Sequence, residues 1–406
     1  VQHICFYAKF AAEWKPGCPA ARNTINLKQM DESFVFDNYV TGRAFVGRRS
    51  DCTALGNLVA SHENVCIYGG PKSGKTSLMH QTLINLQTSG VSVSVPMCDL
   101  SGVRTAGEFV TVLVCAVMKQ FCDGPSDYEG FIGHYLAGTN FGFDETLYED
   151  FGKLAILRGD VSAADMTSAL SLPYSVASDR SCSICVVLDE FQNVLEINGF
   201  ESILKEMERI ATENAASGAS YVFCGSAVNA MKWIFEYRKY FFRNVAVIPM
   251  SQISEQDVIE HIVAGFRPTG KVIEKDLIQM PYRVFRGNMW YLNQMAFLCN
   301  ARAIGYINER TIAEAVETVI SLNVPRFRMI VGDLTVFQLS FLKAVLRGET
   351  RFSASDVIEK YDLHSSANVK RVRDALMKKE ILTFTEKDEP VVIDPLFEYW
   401  FRREML

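Results

Sequence analysis

The stretch VCIYGGPKSGKT, residues 65–76, decides the fold of this chain. Its first four residues are apolar, which is typical of a strand buried in a parallel sheet. The rest satisfies the pattern G-x-x-x-x-G-K-[ST] at every fixed position, and helix-forming sequence with Leu78, Leu83 and Leu86 follows. The stretch therefore predicts a strand, a glycine-rich loop and a helix in succession.

The glycine-rich loop has the composition of a phosphate-binding site. Gly69 and Gly74 allow backbone angles that are closed to other residues, so successive N–H groups point into one concavity at the helix N-terminus. Lys75 is predicted to reach the β- and γ-phosphates of a nucleotide, and the Thr76 hydroxyl to ligate Mg²⁺. The predicted nucleotide-binding residues of this segment are Gly69, Gly70, Pro71, Lys72, Ser73, Gly74, Lys75, Thr76 and Ser77.

Two other apolar runs end in polar side chains. The run Ile184–Leu188 leads into Asp189 and Glu190. Asp189 is predicted to complete the Mg²⁺ shell, and Glu190 to orient or deprotonate an attacking water. The run Tyr221–Cys224 leads to Ser226, which is predicted to sense the γ-phosphate or place the water. A plain Gly-Ser turn is the alternative interpretation.

Further strands indicate the fold class. Residues 245–248 form another apolar run, and residues 91–97 alternate between apolar and polar side chains around Pro96, as expected of a half-exposed edge strand. Helical sequence separates the strands. The prediction is an α/β fold with a doubly wound parallel sheet, which binds ligands beyond the carboxyl ends of its strands.

Four motifs together resemble the archaeal-type ATPases, in the AAA+/STAND branch of the P-loop NTPases. They are Phe45-Val46-Gly47-Arg48, the loop sequence Gly-Pro-Lys-Ser-Gly-Lys-Thr, the segment 188–192 (LDEFQ) and the segment 394–400 (DPLFEYW). The resemblance runs from about Phe45 to the C-terminus. It implies a P-loop NTPase core that binds ATP and Mg²⁺, followed by a helical lid and a winged-helix domain.

The resemblance also implies roles for individual residues. It places Val46 and Arg48 near the adenine, and the two acids at 189–190 on the metal. Arg243 matches an arginine that follows the sensor strand in relatives. The predicted catalytic residues are thus Lys75, Glu190, Ser226 and Arg243, and the predicted metal ligands are Thr76 and Asp189.

The chain departs from the family pattern in two places. Relatives often carry Gly-Gly-x-Pro in the lid, where this chain has Arg286-Gly287-Asn288-Met289, with one glycine and no proline. Residues 124–180 are longer than a simple crossover between sheet strands. Breaks such as Leu172-Pro173 around short helical patterns predict an inserted helical elaboration there.

The C-terminal third is predicted to hold two domains. Residues 251–330 are helical by pattern and would form the lid, with Pro325 as the expected boundary. Residues 331–406 are predicted to be a winged helix. Its first helix spans residues 337–347, its second starts at the Ser-x-x-Asp sequence 353–356, its third is capped by Ser366, and a hairpin over 382–393 forms the wing.

The predicted third helix has a basic face that includes Lys370, Arg371 and Arg373. One interpretation puts this helix in a DNA major groove. The other is a solvated face, since helix-turn-helix modules also serve as protein-docking elements or intramolecular clamps. The formal charge of the whole chain, -6, is not that of a general nucleic-acid binder.

The first methionine of the chain is Met30, and residues 1–29 carry a net charge of +3. We interpret residues 1–29 as an extension outside the fold, with translation starting at Met30, and a genuine flexible tail is the alternative. The predicted organisation is an N-terminal extension over 1–40, an ATPase core over 41–250 with its insertion around 124–180, a lid over 251–330 and a winged helix over 331–406.

Composition excludes several classes of protein. The 406 residues are 49% hydrophobic and 22% charged, and the 11 cysteines lack the spacing of a disulfide framework. No run approaches the ~20 apolar residues that a bilayer crossing needs. The composition predicts a cytoplasmic protein with no membrane partner.

The leading functional prediction is a Mg²⁺-dependent ATPase that couples its nucleotide state to movement of the lid and the winged helix. The alternative is an ATP-gated switch with negligible turnover that recruits DNA or a protein partner. A second alternative, a degenerate relative that binds no nucleotide, is disfavoured by the intact Lys75, Thr76, Asp189 and Glu190. The oligomeric state stays open.

Overall fold

The computed structural model describes residues 33–406, and its central feature is a five-stranded parallel sheet. The strands are β1 (Asn64–Tyr68), β2 (Met97–Asp99), β5 (Ile184–Asp189), β6 (Ala219–Gly225) and β7 (Val245–Pro249). They lie in the order β2-β5-β6-β1-β7, and every neighbouring pair is parallel. Two short strands of the long connection after β2, β3 (Phe141–Gly142) and β4 (Ile156–Leu157), pair with each other instead.

Helices cover both faces of the sheet. One face packs on α1 (Arg49–Ala60) and α2 (Lys75–Thr88), and its core includes Val65 and Ile67. The other face packs on α3 (Ala106–Phe121), α6 (Ala163–Asp179), α7 (Phe200–Glu213) and α8 (Val228–Lys232), and its core includes Cys66. Alternate residues of β1 thus enter opposite cores, which is why the strand is apolar throughout.

The edge strand is shorter than the sequence predicts. β2 lies at the edge of the sheet, but it begins only at Met97, and Ser94 makes an isolated bridge to Ile184. The alternating residues 91–96 mostly precede the strand, because Pro96 cannot donate to a ladder.

The long connection between β2 and β5 contains an elaboration of mixed structure. Between α3 and α6 lie α4 (Pro125–Tyr135), α5 (Glu145–Phe151) and the antiparallel pair of β3 with β4. The strand pair was not predicted. Pro173 lies inside α6, so the break expected at Leu172-Pro173 is wrong.

The region after the sheet is helical. It contains α9 (Glu255–Phe266), β8 (Val272–Ile273), α10 (Gln279–Phe285), α11 (Met289–Arg302), β9 (Tyr306–Ile307) and α12 (Glu309–Gly332). The boundary expected at Pro325 falls inside α12, which continues through this proline for two further turns.

The last elements follow the predicted winged-helix order. They are α13 (Val336–Leu346), α14 (Ser355–Lys360), α15 (Ser366–Lys378), the hairpin of β10 (Leu382–Phe384) with β11 (Pro390–Val392), and α16 (Pro395–Met405). Two predicted caps are wrong. The N-cap of α14 is Ala354, which lacks a side-chain bond, and the N-cap of α15 is Ser365, whose hydroxyl accepts the N–H of Asn368.

The lid and the winged helix share one hydrophobic core. Phe285 of α10, Phe327 of α12, Phe341 of α13 and Phe397 of α16 belong to the same buried cluster. Ion pairs reinforce it: Arg286 meets Glu398 at 2.7 Å, and Arg326 meets Asp394 at 2.6 Å. The division expected at residue 330 therefore does not separate two packing units.

The predicted N-terminal extension over residues 1–40 extends too far. Phe34 is 5% exposed and stacks on Phe266 of α9, and the Val35 carbonyl accepts a 2.7 Å hydrogen bond from Asn293 of α11. Residues 34–40 belong to the fold because an aromatic side chain at position 34 fills a gap in the lid. The interpretation of residues 1–29 lies outside the described residues.

Within residues 33–406, no helix combines the length and apolar character needed to cross a bilayer.

Phe223 in the centre of β6 tests the sheet core. It is 0% exposed and packs on the rings of Phe191, Phe235 and Phe241. We expect Phe223→Ala to lower the free energy of unfolding by about 3–5 kcal/mol, because it leaves a cavity that the sheet cannot close. Denaturant unfolding followed by circular dichroism measures this loss.

Phe151→Ala is the matched control, because this phenylalanine is 71% exposed. Its stability should stay within about 0.5 kcal/mol of the wild type. Equal stability of the two variants would contradict the burial of Phe223.

Candidate functional site

The loop between β1 and α2 curls around the side chain of its own lysine. Gly74 has a φ of 91°, which glycine adopts without strain. Lys75 is 7% exposed, and its ammonium donates to the carbonyls of Gly69 at 2.8 Å and Gly70 at 3.2 Å. The lysine therefore lies in the concavity that the sequence assigned to phosphate.

The environment of Lys75 combines burial with nearby negative charge. Burial lowers the pKa of Lys75, and the carboxylates of Glu190 and Asp189 act in the opposite direction, raising it. These two acids at the end of β5 are the largest charges acting on the ammonium. The structure thus brings together the lysine and the acids that the sequence predicted as one site.

Glu190 is held in place by two side chains. Its backbone has a φ of 54°, the left-handed region, and it begins the turn that follows β5. The Ser226 hydroxyl donates to Glu190 Oε2 at 2.5 Å, and Gln192 Nε2 donates to the same oxygen. Ser226 therefore contacts the predicted catalytic acid, rather than forming only a turn.

The predicted metal ligands lie at the same edge of the sheet. Thr76 is in the first turn of α2, which follows β1. Asp189 is the last residue of β5, and β6 lies between β5 and β1 in the sheet. Within residues 33–406, no cluster of three or more His, Cys, Asp or Glu side chains is arranged to hold a metal by itself. A hydroxyl and a carboxylate nevertheless fit Mg²⁺, which takes oxygen ligands and is usually bound by few side chains together with nucleotide phosphates.

The segment before α1 lies against the loop. Arg48 donates to the Ser73 carbonyl at 2.6 Å and to the Ser251 carbonyl at 3.0 Å, and burial lowers its pKa. Val46 packs against the lid core. The two residues predicted near the adenine therefore bridge the lid and the loop between β1 and α2.

Two more elements reach the loop. The Ser77 hydroxyl accepts a 3.1 Å hydrogen bond from the N–H of Val40, and Lys72 lies 5.4 Å from the ring of Trp290 in α11. Ser77 therefore anchors the N-terminal segment to α2, and Lys72 contacts the lid.

Arg243 is not part of this site in the chain. It precedes β7, whose first residues pair with the amino end of β1, whereas the loop follows the carboxyl end. Its guanidinium is exposed and lies 5.3 Å from the Phe242 ring. The structure does not bring Arg243 to Lys75 within one chain, because the length of β1 separates the two.

The winged helix docks beside Ser226, a contact that sequence reasoning missed. Glu380, which follows α15, accepts the backbone N–H of Asn229 at 2.9 Å and of Ala230 at 3.0 Å. These are N–H groups in the first turn of α8, which starts two residues after Ser226. Glu380 thus caps a helix of the core, at the element that leads away from Ser226.

Further contacts strengthen this interface. Asn229 donates to the carbonyls of Met377 and Leu382, and Lys232 donates to the Phe384 carbonyl at 2.9 Å. Burial raises the pKa of Glu380, and the backbone N–H bonds oppose that effect. The only signal for this interface in the sequence was Glu380, an acid that follows Lys378 and Lys379.

The interface also reaches the phosphate-binding loop itself. Ile393, just after β11, lies so close that a Cβ at position 70 would be 2.9 Å from its Cγ2. Gly70 therefore permits the contact between the loop and the winged helix.

The basic face of α15 is partly engaged. Arg373 pairs with Asp388 of the wing turn and lies 3.6 Å from the Phe384 ring, and Lys379 donates to the Asp333 carbonyl at 3.1 Å. Arg371 donates to Asn368 within the helix at 2.8 Å. Lys370 is exposed.

Asp99 is another residue that sequence reasoning missed. It ends β2 and stands opposite Asp189 in the strand register. Its Oδ1 accepts the N–H of Ser101 at 2.9 Å and the Ser101 hydroxyl at 2.5 Å. The aspartate after the alternating residues was the available signal.

Comparison with known proteins supports this architecture. Residues 325–403 match the family model of a probable winged helix domain. The structure of a Walker-type ATPase of Pyrococcus abyssi aligns with a TM-score of 0.63 at 13% identity, covering 91% of this chain and 99% of that one. The Aeropyrum pernix ORC2 protein in its ADP form aligns with a TM-score of 0.53 at 14% identity, covering 90% and 93%. No curated protein matches the chain.

The chain therefore has the fold of the P-loop ATPases, with flanking helices on both faces of a parallel sheet and a winged-helix domain at the C-terminus. This confirms the predicted fold class, and the resemblance is confirmed at the level of the fold alone.

Removing the Glu380 carboxylate should loosen the docked winged helix. In Glu380→Ala, the N–H groups of Asn229 and Ala230 lose their acceptor, and we expect a loss of about 1–3 kcal/mol in the free energy of unfolding. Denaturant unfolding measures the loss, and limited proteolysis reports whether the winged helix becomes accessible.

Glu386→Ala, at an exposed carboxylate of the wing turn, is the control and should unfold like the wild type. An equal effect of both changes would exclude a specific role for the Glu380 cap.

Proposed function

We propose that this protein is a Mg²⁺-dependent ATPase whose nucleotide state controls the position of its lid and winged helix. One observation carries the proposal: Lys75, Glu190 and Ser226 converge at the carboxyl edge of the sheet, and the Glu190 carboxylate accepts from the Ser226 hydroxyl. This is the set of groups that phosphoryl transfer to water requires.

Each residue has a defined task in this proposal. In the proposal, the loop N–H groups and Lys75 bind the phosphates, and the oxygen donors of Thr76 and Asp189 would hold Mg²⁺. When bound, Mg²⁺ neutralises charge on the phosphates. Glu190 accepts the proton of the attacking water. Ser226 reports on the γ-phosphate, because a phosphate oxygen competes with Glu190 for its hydroxyl proton.

Helix α8, which begins just after Ser226, would couple the nucleotide site to the winged helix. A shift of this serine moves the start of α8, whose N–H groups bond to Glu380 of the winged helix. The lid and the winged helix share one core, so both would move together relative to the sheet. A cytoplasmic location is consistent with the nine free cysteines of residues 33–406.

The alternative switch with negligible turnover uses the same residues, and turnover distinguishes it. ATP binding without phosphate release, under all conditions and with all candidate partners, would favour the switch.

Two substitutions test the assigned roles. Lys75→Ala should abolish detectable ATP binding, because the ammonium is buried among the loop carbonyls. Glu190→Gln should keep ATP binding and lose hydrolysis by about 100-fold or more, because the amide cannot take the proton. Fluorescent-nucleotide titration and phosphate release measure the two effects.

Lys239→Ala, at an exposed lysine, is the control and should match the wild type in both assays. Unchanged ATP binding in Lys75→Ala would refute the site, and normal hydrolysis by Glu190→Gln would remove that residue from the mechanism.

We further propose that α15 docks on the ATPase core of the same chain and does not bind nucleic acid. The end of α15 docks on α8, and Arg373 is paired with Asp388 of the wing turn. The same turn carries Glu386 and Glu389, whose negative charges repel the phosphates of a nucleic acid.

We expect the triple change of Lys370, Arg371 and Arg373 to Ala to leave duplex DNA affinity unchanged. Fluorescence anisotropy with a labelled duplex, at two salt concentrations and with and without ATP, checks this. Tight binding by the wild type that is lost in the triple variant would show instead that α15 binds DNA.

A further inference from the structure

Gln192 contacts both Glu190 and Ser226 at the carboxyl edge of the sheet. It lies two residues after Glu190, in the short helical turn Phe191–Glu196. Its Nε2 donates to Glu190 Oε2 and lies 3.4 Å from the Ser226 hydroxyl. The amide therefore forms the third side of a triangle with the carboxylate and the serine.

The orientation of this amide is costly, which indicates what it is for. Gln192 Oε1 is buried and has no hydrogen-bond partner in the part of the chain that the structure describes. An unpaired buried carbonyl is unfavourable, and an apolar side chain would avoid it. The reversed amide would direct Oε1 at the Glu190 carboxylate, where two acceptors repel. The amide is thus oriented so that its NH₂ group faces Glu190 and Ser226.

The surroundings of Gln192 hold the side chain in this orientation. A Cβ at position 225 would lie 2.8 Å from Gln192 Oε1 and 2.4 Å from Met231, so only glycine leaves room beside the amide. Gly225, Met231 and the end of β6 therefore form a wall that the amide oxygen contacts.

Both bonds from neighbouring side chains engage one oxygen of Glu190. Ser226 and Gln192 each donate to Oε2, and Oε1 accepts no hydrogen bond from residues 33–406. The carboxylate is therefore fixed in rotation, with its second oxygen presented for another donor.

We propose that Gln192 is a positioning residue, which holds Glu190 so that Oε1 faces the water to be activated. The proposal rests on the proposed function, since it presumes that Glu190 takes the proton of that water. It adds a residue that acts only through Glu190 and leaves nucleotide binding to the loop.

The decisive experiment measures ATP turnover by Gln192→Met. Methionine has a similar length and lacks the donor. We expect kcat to fall about 10–100-fold with an unchanged KM for ATP, because the base is misplaced while the phosphate site stays intact. Gln192→Asn, whose shorter side chain leaves its amide out of reach of Oε2, should lose activity to a similar extent and guards against a folding defect in the first variant.

A second measurement separates positioning from general damage. In a Glu190→Gln background, Gln192→Met should cause little further loss, because the group it positions is already inactive. An equal loss in both backgrounds would overturn the proposal. Asn193→Ala is the matched control, because Asn193 belongs to the same turn but donates to the Leu100 carbonyl, and it should keep the wild-type rate.

The outcomes distinguish this inference from the function on which it rests. A wild type that hydrolyses ATP, an inactive Glu190→Gln and a fully active Gln192→Met would overturn the role of Gln192 and leave the proposed function standing. A wild type without turnover would remove both.

Discussion

The parallel register of the sheet is the constraint on which the rest of the structure depends. Because all five strands run in one direction, their carboxyl ends lie on one edge. Tyr68 of β1 stands opposite Gly225 of β6, and Leu188 of β5 stands opposite Phe223. The loop, the two acids and the serine thus come from three separate parts of the chain, and the parallel register brings them together.

Sequence reasoning succeeded where one strand and its following turn contain the whole signal. The loop around Lys75, the strand that ends at Asp189 and the strand before Ser226 are local patterns, and buried parallel strands are apolar on both faces. The succession of winged-helix elements also followed from local periodicity, whereas the order of the strands in the sheet was not predicted. Helix ends were less predictable, since Ser365 and Ser366 both offer a capping hydroxyl and only the backbone selects between them.

Contacts between distant segments could not be predicted in this way. Glu380 and Asn229 are 151 residues apart, and neither belongs to a motif. Phe34 was placed in the predicted N-terminal extension over residues 1–40, although it belongs to the lid core. Pro325 was expected to be the boundary of the lid, but α12 continues through it, and Phe327 just beyond it packs on Phe397. In each case tertiary packing decided the structure.

The two interfaces of the winged helix differ in chemistry, and this difference indicates where the molecule opens. Its contact with the lid is an apolar core with Phe327, Phe397 and Trp400, which would lose buried area if separated. Its contact with the sheet relies on hydrogen bonds from Asn229 and Lys232, together with Ile393 on the loop. Water replaces such bonds at little net cost once the surfaces part. The lid and the winged helix therefore form one body, and the polar contact beside Ser226 is the interface that separates more readily.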